Sequence, residues 1–286
     1  MPKKAYVEIT NVCNLRCAFC PGTRRAPRAM SPREFDLVLK KISPHVSYVY
    51  LHVMGEPLTH PQLPELLSVA EGHGAKLCIA TNGMLLRERG DVLLASGALY
   101  RVSVSLHCVE GNGIDVALSR AYLEAVWDFA VLAAARGVIC ALRLWNEGGA
   151  ESGNGAILDF LREKTGRDDW PEHRDRSFRL AERIYLERER VFDWPDLRAA
   201  EAGVEFCRAL REQIGVLADG TVVPCCLDHE GDVALGNLFD EDLDDILRKP
   251  RAIALADGFS RRQPVEELCR RCGYAARFNR TSPVES

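Results

Sequence analysis

The stretch NVCNLRCAFC, residues 11–20, carries Cys13, Cys17 and Cys20, spaced four and then three apart. It follows a β-rich run, AYVEIT at 5–10, so the three thiols stand on the loop that leaves a first strand. Three thiolates on one short loop can hold a metal and leave one coordination position open. Two centres meet that description: a zinc ion with an open site, and a four-iron cubane short of its fourth cysteine. Zinc sites usually show paired CxxC or Cys/His spacing, which this loop lacks.

The residues that follow alternate between short strand-like runs and amphipathic helical stretches. Helix is expected over 31–42, where Ser31 caps, Pro32 takes the first position and Glu34 closes a capping box. Strands are expected at 47–53, 76–82, 100–106 and 138–146, with helices at 60–74, 85–97 and 122–137 between them. Such alternation implies right-handed βαβ units and a parallel sheet. A glycine-rich loop spans 147–156, a short helix follows, and a sixth strand is expected at 182–189. Six βα units are too few for a closed eight-stranded barrel, so the fold class is α/β, an open partial (β/α)6 barrel over residues 1–198. Residues 199–286 then read as a small second domain. It has a hairpin at 214–226 turning on Asp219-Gly220, a helix at 243–258 and a CxxC pair, Cys269 and Cys272.

Composition narrows the partners. The net charge of −4 gives no global pull toward nucleic acid or membrane. No apolar run is long enough for a membrane helix, and the N-terminus lacks a signal-peptide core, so a cytoplasmic protein is expected. Eleven cysteines, an odd count, suit free or metal-bound thiols rather than a paired disulfide framework.

The CxxxCxxC spacing with Phe19 before the last cysteine resembles the radical S-adenosylmethionine (SAM) enzymes. Gly55-Glu56-Pro57 stands after the second strand, where that family has a GGE element; Met54 replaces its first glycine. Thr81-Asn82-Gly83 ends the third strand and Ser103–Leu106 lies on the fourth. The resemblance implies a [4Fe–4S] cluster on Cys13, Cys17 and Cys20 with one iron open to SAM. It also implies that Phe19, Gly55, Glu56, Ser105 and Asn146 surround the cofactor, with Glu56 facing its ammonium and Phe19 its adenine.

The C-terminal segment resembles the twitch form of the SPASM extension found on such enzymes. That implies a second, auxiliary [4Fe–4S] cluster on Cys207, Cys225, Cys269 and Cys272. Cys226 competes with Cys225, because neighbours on a strand face opposite ways and only one can serve. A structural zinc ribbon would use the same four thiols. Cys78 and Cys140 read as core residues, and Cys108 as either pocket wall or buried bystander.

The resulting expectation is an enzyme that cleaves SAM reductively, abstracts hydrogen from an organic substrate and passes an electron to the auxiliary cluster, a net oxidation. The alternatives are a peptide- or protein-modifying maturase and, in another class, an iron–sulfur carrier or zinc protein without SAM chemistry. Expected partners are a flavodoxin or ferredoxin reductant and a small-molecule or peptide substrate, with neither membrane nor nucleic acid. A peptide substrate is disfavoured because the first strand begins near residue 5, leaving no room for an N-terminal leader-binding domain.

Overall fold

The β-rich runs become strands β1 (Lys4–Val7), β2 (Tyr48–Tyr50), β3 (Leu77–Thr81), β4 (Leu99–Ser105) and β5 (Ile139–Glu147). A computed structural model describes residues 2–114, 119–174 and 176–279; residues 280–286 of the C-terminal segment lie outside the described residues. Three further strands follow β5: β6 (Glu172–Arg174), β7 (Ser177–Ala181) and β8 (Ile184–Arg190). β9 (Gln213–Val216), β10 (Thr221–Val223) and β11 (Gly236–Asn237) complete one sheet. Its order is β11-β10-β9-β1-β2-β3-β4-β5-β8-β7-β6.

The expected six parallel strands are β1 to β5 and β8, each pairing parallel with its neighbour. The sheet stays open. β6 and β7 add an antiparallel edge beyond β8, over residues to which the sequence assigned no element. On the other side β9 lies parallel to β1, with Ala5 opposite Ile214 and Val7 opposite Val216. The C-terminal hairpin therefore continues the barrel sheet rather than hanging from it. Its turn falls where Asp219-Gly220 indicated, and Gly220 takes φ +85°, a conformation that suits glycine.

Helices cover one face of the sheet: α1 (Pro32–Ile42), α2 (Leu63–Gly72), α3 (Leu86–Leu94), the single turn α4 (Cys108–Gly111), α5 (Arg120–Ala135) and α6 (Asn154–Thr165). The capping box of α1 forms as read: Glu34 N donates to Ser31 Oγ at 3.3 Å and Ser31 N to Glu34 Oε2 at 2.8 Å. Phe35, Val38, Leu39 and Ile42 bury against Ala5, Val7 and Val49 in one continuous core. The C-terminal segment adds α7 (Leu243–Arg248), α8 (Pro250–Ser260), α9 (Glu267–Arg270) and α10 (Gly273–Ala276). A single helix over 243–258 was expected. It breaks because Lys249 precedes Pro250 and adopts ψ 146°, the extended conformation forced on a residue before proline.

Strand side chains alternate, so the opposite face lines the barrel interior. Where Ala5 and Val7 face the helices, Lys4 and Tyr6 are half-buried on the other side. The interior carries Tyr50, Trp145, Tyr185 and Glu187 lining one cavity and Arg143 lining another, from β2, β5 and β8. A polar, aromatic interior in a parallel sheet marks a binding chamber rather than a packed core.

One buried charge fixes the rim of that chamber. Glu8, fully buried just past β1, takes two hydrogen bonds from the Arg25 guanidinium, each 2.7 Å. It also accepts Met54 N at 3.1 Å and Ala218 N at 3.2 Å. Arg25 Nε donates to His229 O at 2.8 Å. A carboxylate has about four acceptor positions, and Glu8 fills all of them. Removing one partner of a buried pair leaves an uncompensated charge. Because the Arg25 side chain keeps 17% of its surface in water, Arg25→Ala is expected to cost about 3 kcal/mol, the low end for a buried pair. Urea unfolding under anaerobic conditions measures it; an unchanged midpoint would show that the pair contributes nothing.

Candidate functional site

The loop after β1 lies across the C-terminal rim of the strands, the functional edge of parallel α/β sheets. Cys13 and Cys20 are exposed, Cys17 is half-buried, and all three are reduced. Loops from other strands brace them. Ala18 N donates to Gly111 O at 2.7 Å. The Asn112 amide donates to Cys17 Sγ at 3.0 Å and to Cys108 O at 2.7 Å, while its oxygen accepts Arg16 N at 2.9 Å. Asn82 approaches Cys13 Sγ at 3.9 Å and donates to Asn14 Oδ1 at 2.8 Å. Burial pushes the Cys13 and Cys17 thiols up, and the charge of neighbouring cysteines pushes further. Among the described residues no three metal-binding side chains have converged to a closed site. The donor chemistry nonetheless fits an iron–sulfur cluster: soft thiolates, close enough to repel one another, need a compensating metal charge.

The residues expected around SAM divide by geometry. Gly55 takes φ +78°, and a Cβ there would run into the Thr10 carbonyl; only glycine lets this loop pass so close. The next residue is pinned by Glu56 N donating to Val12 O at 2.9 Å. Glu56 itself is buried. Its Oε1 accepts Leu58 N at 3.0 Å and the Thr81 hydroxyl at 2.8 Å, and its Oε2 accepts Asn82 N at 2.7 Å. Three of about four acceptor positions are used, which leaves one on Oε2 for a cation. Burial is the main force on its carboxyl and pushes it up. Phe19, 41% exposed, packs against the His107 ring at 4.8 Å between centroids and over Gly111. Ser105 is half-buried at the end of β4, opposite Arg143. Asn146 is taken by its own loop: its amide nitrogen donates to Ala150 O and to Asn154 Oδ1, and its oxygen accepts from Asn154.

The C-terminal thiols are brought together as a group. Cys207, Cys225, Cys269 and Cys272 line one largely apolar cavity with Pro195, Pro224, Phe259 and the buried Asp228. Burial pushes Cys225 and Cys269 up, and the other thiols of the group add to the shift. Four cysteines around one largely apolar cavity match the donor set of a fully ligated iron–sulfur cluster or a zinc ion. Cys226 turns the other way. It lines a separate cavity inside the barrel with Tyr6, His52 and Arg143, and burial pushes its thiol to about 12. Cys78, Cys108 and Cys140 are each at most 2% exposed. Cys108 donates to Asn82 O at 3.3 Å beneath the loop, so it is a packing residue at the rim.

A family model of the radical SAM superfamily matches residues 7–145, and one of an iron–sulfur cluster-binding domain, SPASM, matches residues 207–273. The chain belongs to the radical SAM superfamily. Membership implies a [4Fe–4S] cluster and SAM, and the SPASM domain implies further iron–sulfur. The sporulation killing factor maturation protein SkfB of Bacillus subtilis is 24% identical over 89% of this chain and 67% of its own length. GTP 3′,8-cyclase 1 of Mycobacterium tuberculosis is 36% identical over 36% of this chain, and the match spans only 32% of that protein. Among solved structures, BtrN in complex with AdoMet and 2-DOIA has TM-score 0.56 at 17% identity, over 95% of this chain and 93% of that one. Native anSMEcpe with bound AdoMet and a Kp18Cys peptide has TM-score 0.60 at 15% identity, over 88% and 82%. These likenesses support the α/β radical SAM fold. Among the described residues no helix is long and apolar enough to cross a membrane.

Asn112 and Glu8 were missed in the sequence, since neither stands in a motif; Asn82 was visible only as part of Thr81-Asn82-Gly83. The exposure pattern makes a direct prediction for metal-free protein. Iodoacetamide followed by peptide mass spectrometry is expected to label Cys13 and Cys20 first and to leave Cys78, Cys108 and Cys140 unlabelled until the chain unfolds. Early labelling of Cys108 would place it in an open pocket instead.

Proposed function

We propose that residues 1–198 form a catalytic radical SAM barrel and residues 199–286 an auxiliary domain, with two [4Fe–4S] clusters. Cys13, Cys17 and Cys20 would hold the first, and Cys207, Cys225, Cys269 and Cys272 the second. The observation that carries this reading is the separation of the thiols: three on the rim loop, four around one apolar cavity, and Cys226 facing elsewhere. Bound there, the clusters and SAM supply reductive SAM cleavage, a 5′-deoxyadenosyl radical that takes hydrogen from an organic substrate, and an acceptor for the substrate electron.

The chain's own residues position these groups. Glu56 Oε2 offers its remaining acceptor position to the SAM ammonium, a charge-assisted contact. Gly55 lets the backbone approach, Phe19 presents a half-exposed ring for the adenine, and Ser105 offers a hydroxyl from β4. Asn112 holds Cys17 through its sulfur, a bond of the kind that tunes cluster potential. Asn146 serves its own loop and is left out of this set. Exposed Arg16 and Arg24 beside the rim suit an acidic reductant such as flavodoxin or ferredoxin. A reducing cytoplasm suits so many free thiols.

The lead reading is oxidation of a small molecule. Maturation of a peptide is a second reading, favoured by the similarity to SkfB along most of the chain.

Anaerobically reconstituted protein is expected to hold about eight irons, and a variant with Cys13, Cys17 and Cys20 all changed to Ala about four. With dithionite, only the former is expected to release 5′-deoxyadenosine and methionine. Zinc at full occupancy, or SAM cleavage by the triple variant, would overturn the assignment.

A further inference from the structure

The cavity that Cys226 faces has an unbalanced electrostatic lining. It measures about 210 Å³ and lies inside the barrel, bounded by β1, β2 and β5 and by the segment that carries Cys225. Its charged lining residues are Lys4, Arg143 and Arg208; among the described residues no aspartate or glutamate lines it. Arg143 is matched from outside the cavity by Glu187 at 3.3 Å, and Arg208 by the half-buried Glu212 at 3.3 Å. The Lys4 ammonium has no carboxylate partner among the described residues; it lies 5.5 and 5.7 Å from the Tyr6 and Tyr50 ring centroids.

A second observation points into the same space. His52 lines the cavity, and its Nδ1, enclosed by protein, has no hydrogen-bond partner, a state that costs free energy. Burial first, and then the Arg143 and Lys4 charges, hold that imidazole down to about 3, so it stays neutral. The remaining lining is largely aromatic: Tyr6, Tyr50, Trp145, Phe192, Tyr274 and Phe278. An ammonium without a carboxylate partner, in an aromatic chamber lined by cations and a neutral imidazole, favours a ligand with an anionic head and a flat or apolar body.

We propose that this cavity binds the substrate of the enzyme by an anionic group, a carboxylate or a phosphate, set against Lys4 with its apolar body along the tyrosine and tryptophan rings. This rests on the reading that the barrel interior receives the organic substrate. The anion site is distinct from the rim that carries Cys13, Cys17, Cys20 and Glu56, none of which lines the cavity. Cys226, beside Tyr6, forms part of the wall on the auxiliary side.

The test uses four probes with one ring and different heads: phenylacetate, phenyl phosphate, phenylacetamide and phenethylammonium. Binding to reconstituted protein is measured by anaerobic calorimetry with SAM saturating. The two anions are expected to bind, and the stronger of them names the head group. The amide and the ammonium are expected to bind at least about tenfold more weakly, as befits a site that selects charge. Lys4→Met is expected to lose most of that preference, and Arg208→Met to weaken it. Equal binding of amide and acid, preferred binding of the ammonium, or no binding of any probe would overturn the proposal. So would unchanged phenylacetate affinity in Lys4→Met. SAM cleavage is measured on the same preparations. Cleavage without anion preference defeats the anionic site alone, whereas anion preference without cleavage leaves the site standing and defeats the radical SAM assignment.

Discussion

The geometry of the rim depends on a single buried carboxylate. Glu8 sits just beyond β1, out of water, where an unpaired charge would cost several kcal/mol. Its four hydrogen bonds come from three distant parts of the chain. Arg25 brings in the segment that follows the cysteine loop, Met54 the turn before Gly55-Glu56, and Ala218 the tip of the C-terminal hairpin. Burial makes each of these bonds obligatory, so the three segments hold a fixed relation. Arg25 extends the tie to His229, in the segment just past Cys225 and Cys226.

That arrangement explains how two sets of thiols come to flank one chamber. β9 pairs with β1, so the C-terminal hairpin becomes part of the barrel wall. The chain then turns at Pro224, and two adjacent cysteines face opposite sides of that wall. Cys225 joins the apolar four-thiol cavity, and Cys226 joins the cation-lined interior. Leu227 lines both the interior and the four-thiol cavity, so the two are neighbours.

The parts of this that were legible in the sequence are local. The CxxxCxxC spacing, the Ser31/Glu34 box and the Asp219-Gly220 turn each depend on residues a few positions apart, where geometry follows directly from spacing. The six parallel strands were legible because their helices alternate with them. What was hidden is long-range. Asn112 meets Cys17 across 95 positions, and Ala218 meets Glu8 across 210. No periodicity encodes such pairs. The choice between Cys225 and Cys226 was open for the same reason, since it is decided by how the hairpin docks on β1. The β6–β7 edge escaped notice because its strands are short and bury only Leu180, with little apolar alternation to mark them.

The opposed facing of these two adjacent thiols is the point on which the division between cluster and substrate chamber stands or falls. Iron content and Mössbauer spectra of reconstituted Cys225→Ala and Cys226→Ala measure it directly. Cys225→Ala is expected to retain only about four irons, those of the rim cluster, and Cys226→Ala about eight. The reverse pattern, with the second cluster lost in Cys226→Ala and kept in Cys225→Ala, would contradict the assignment of both cavities.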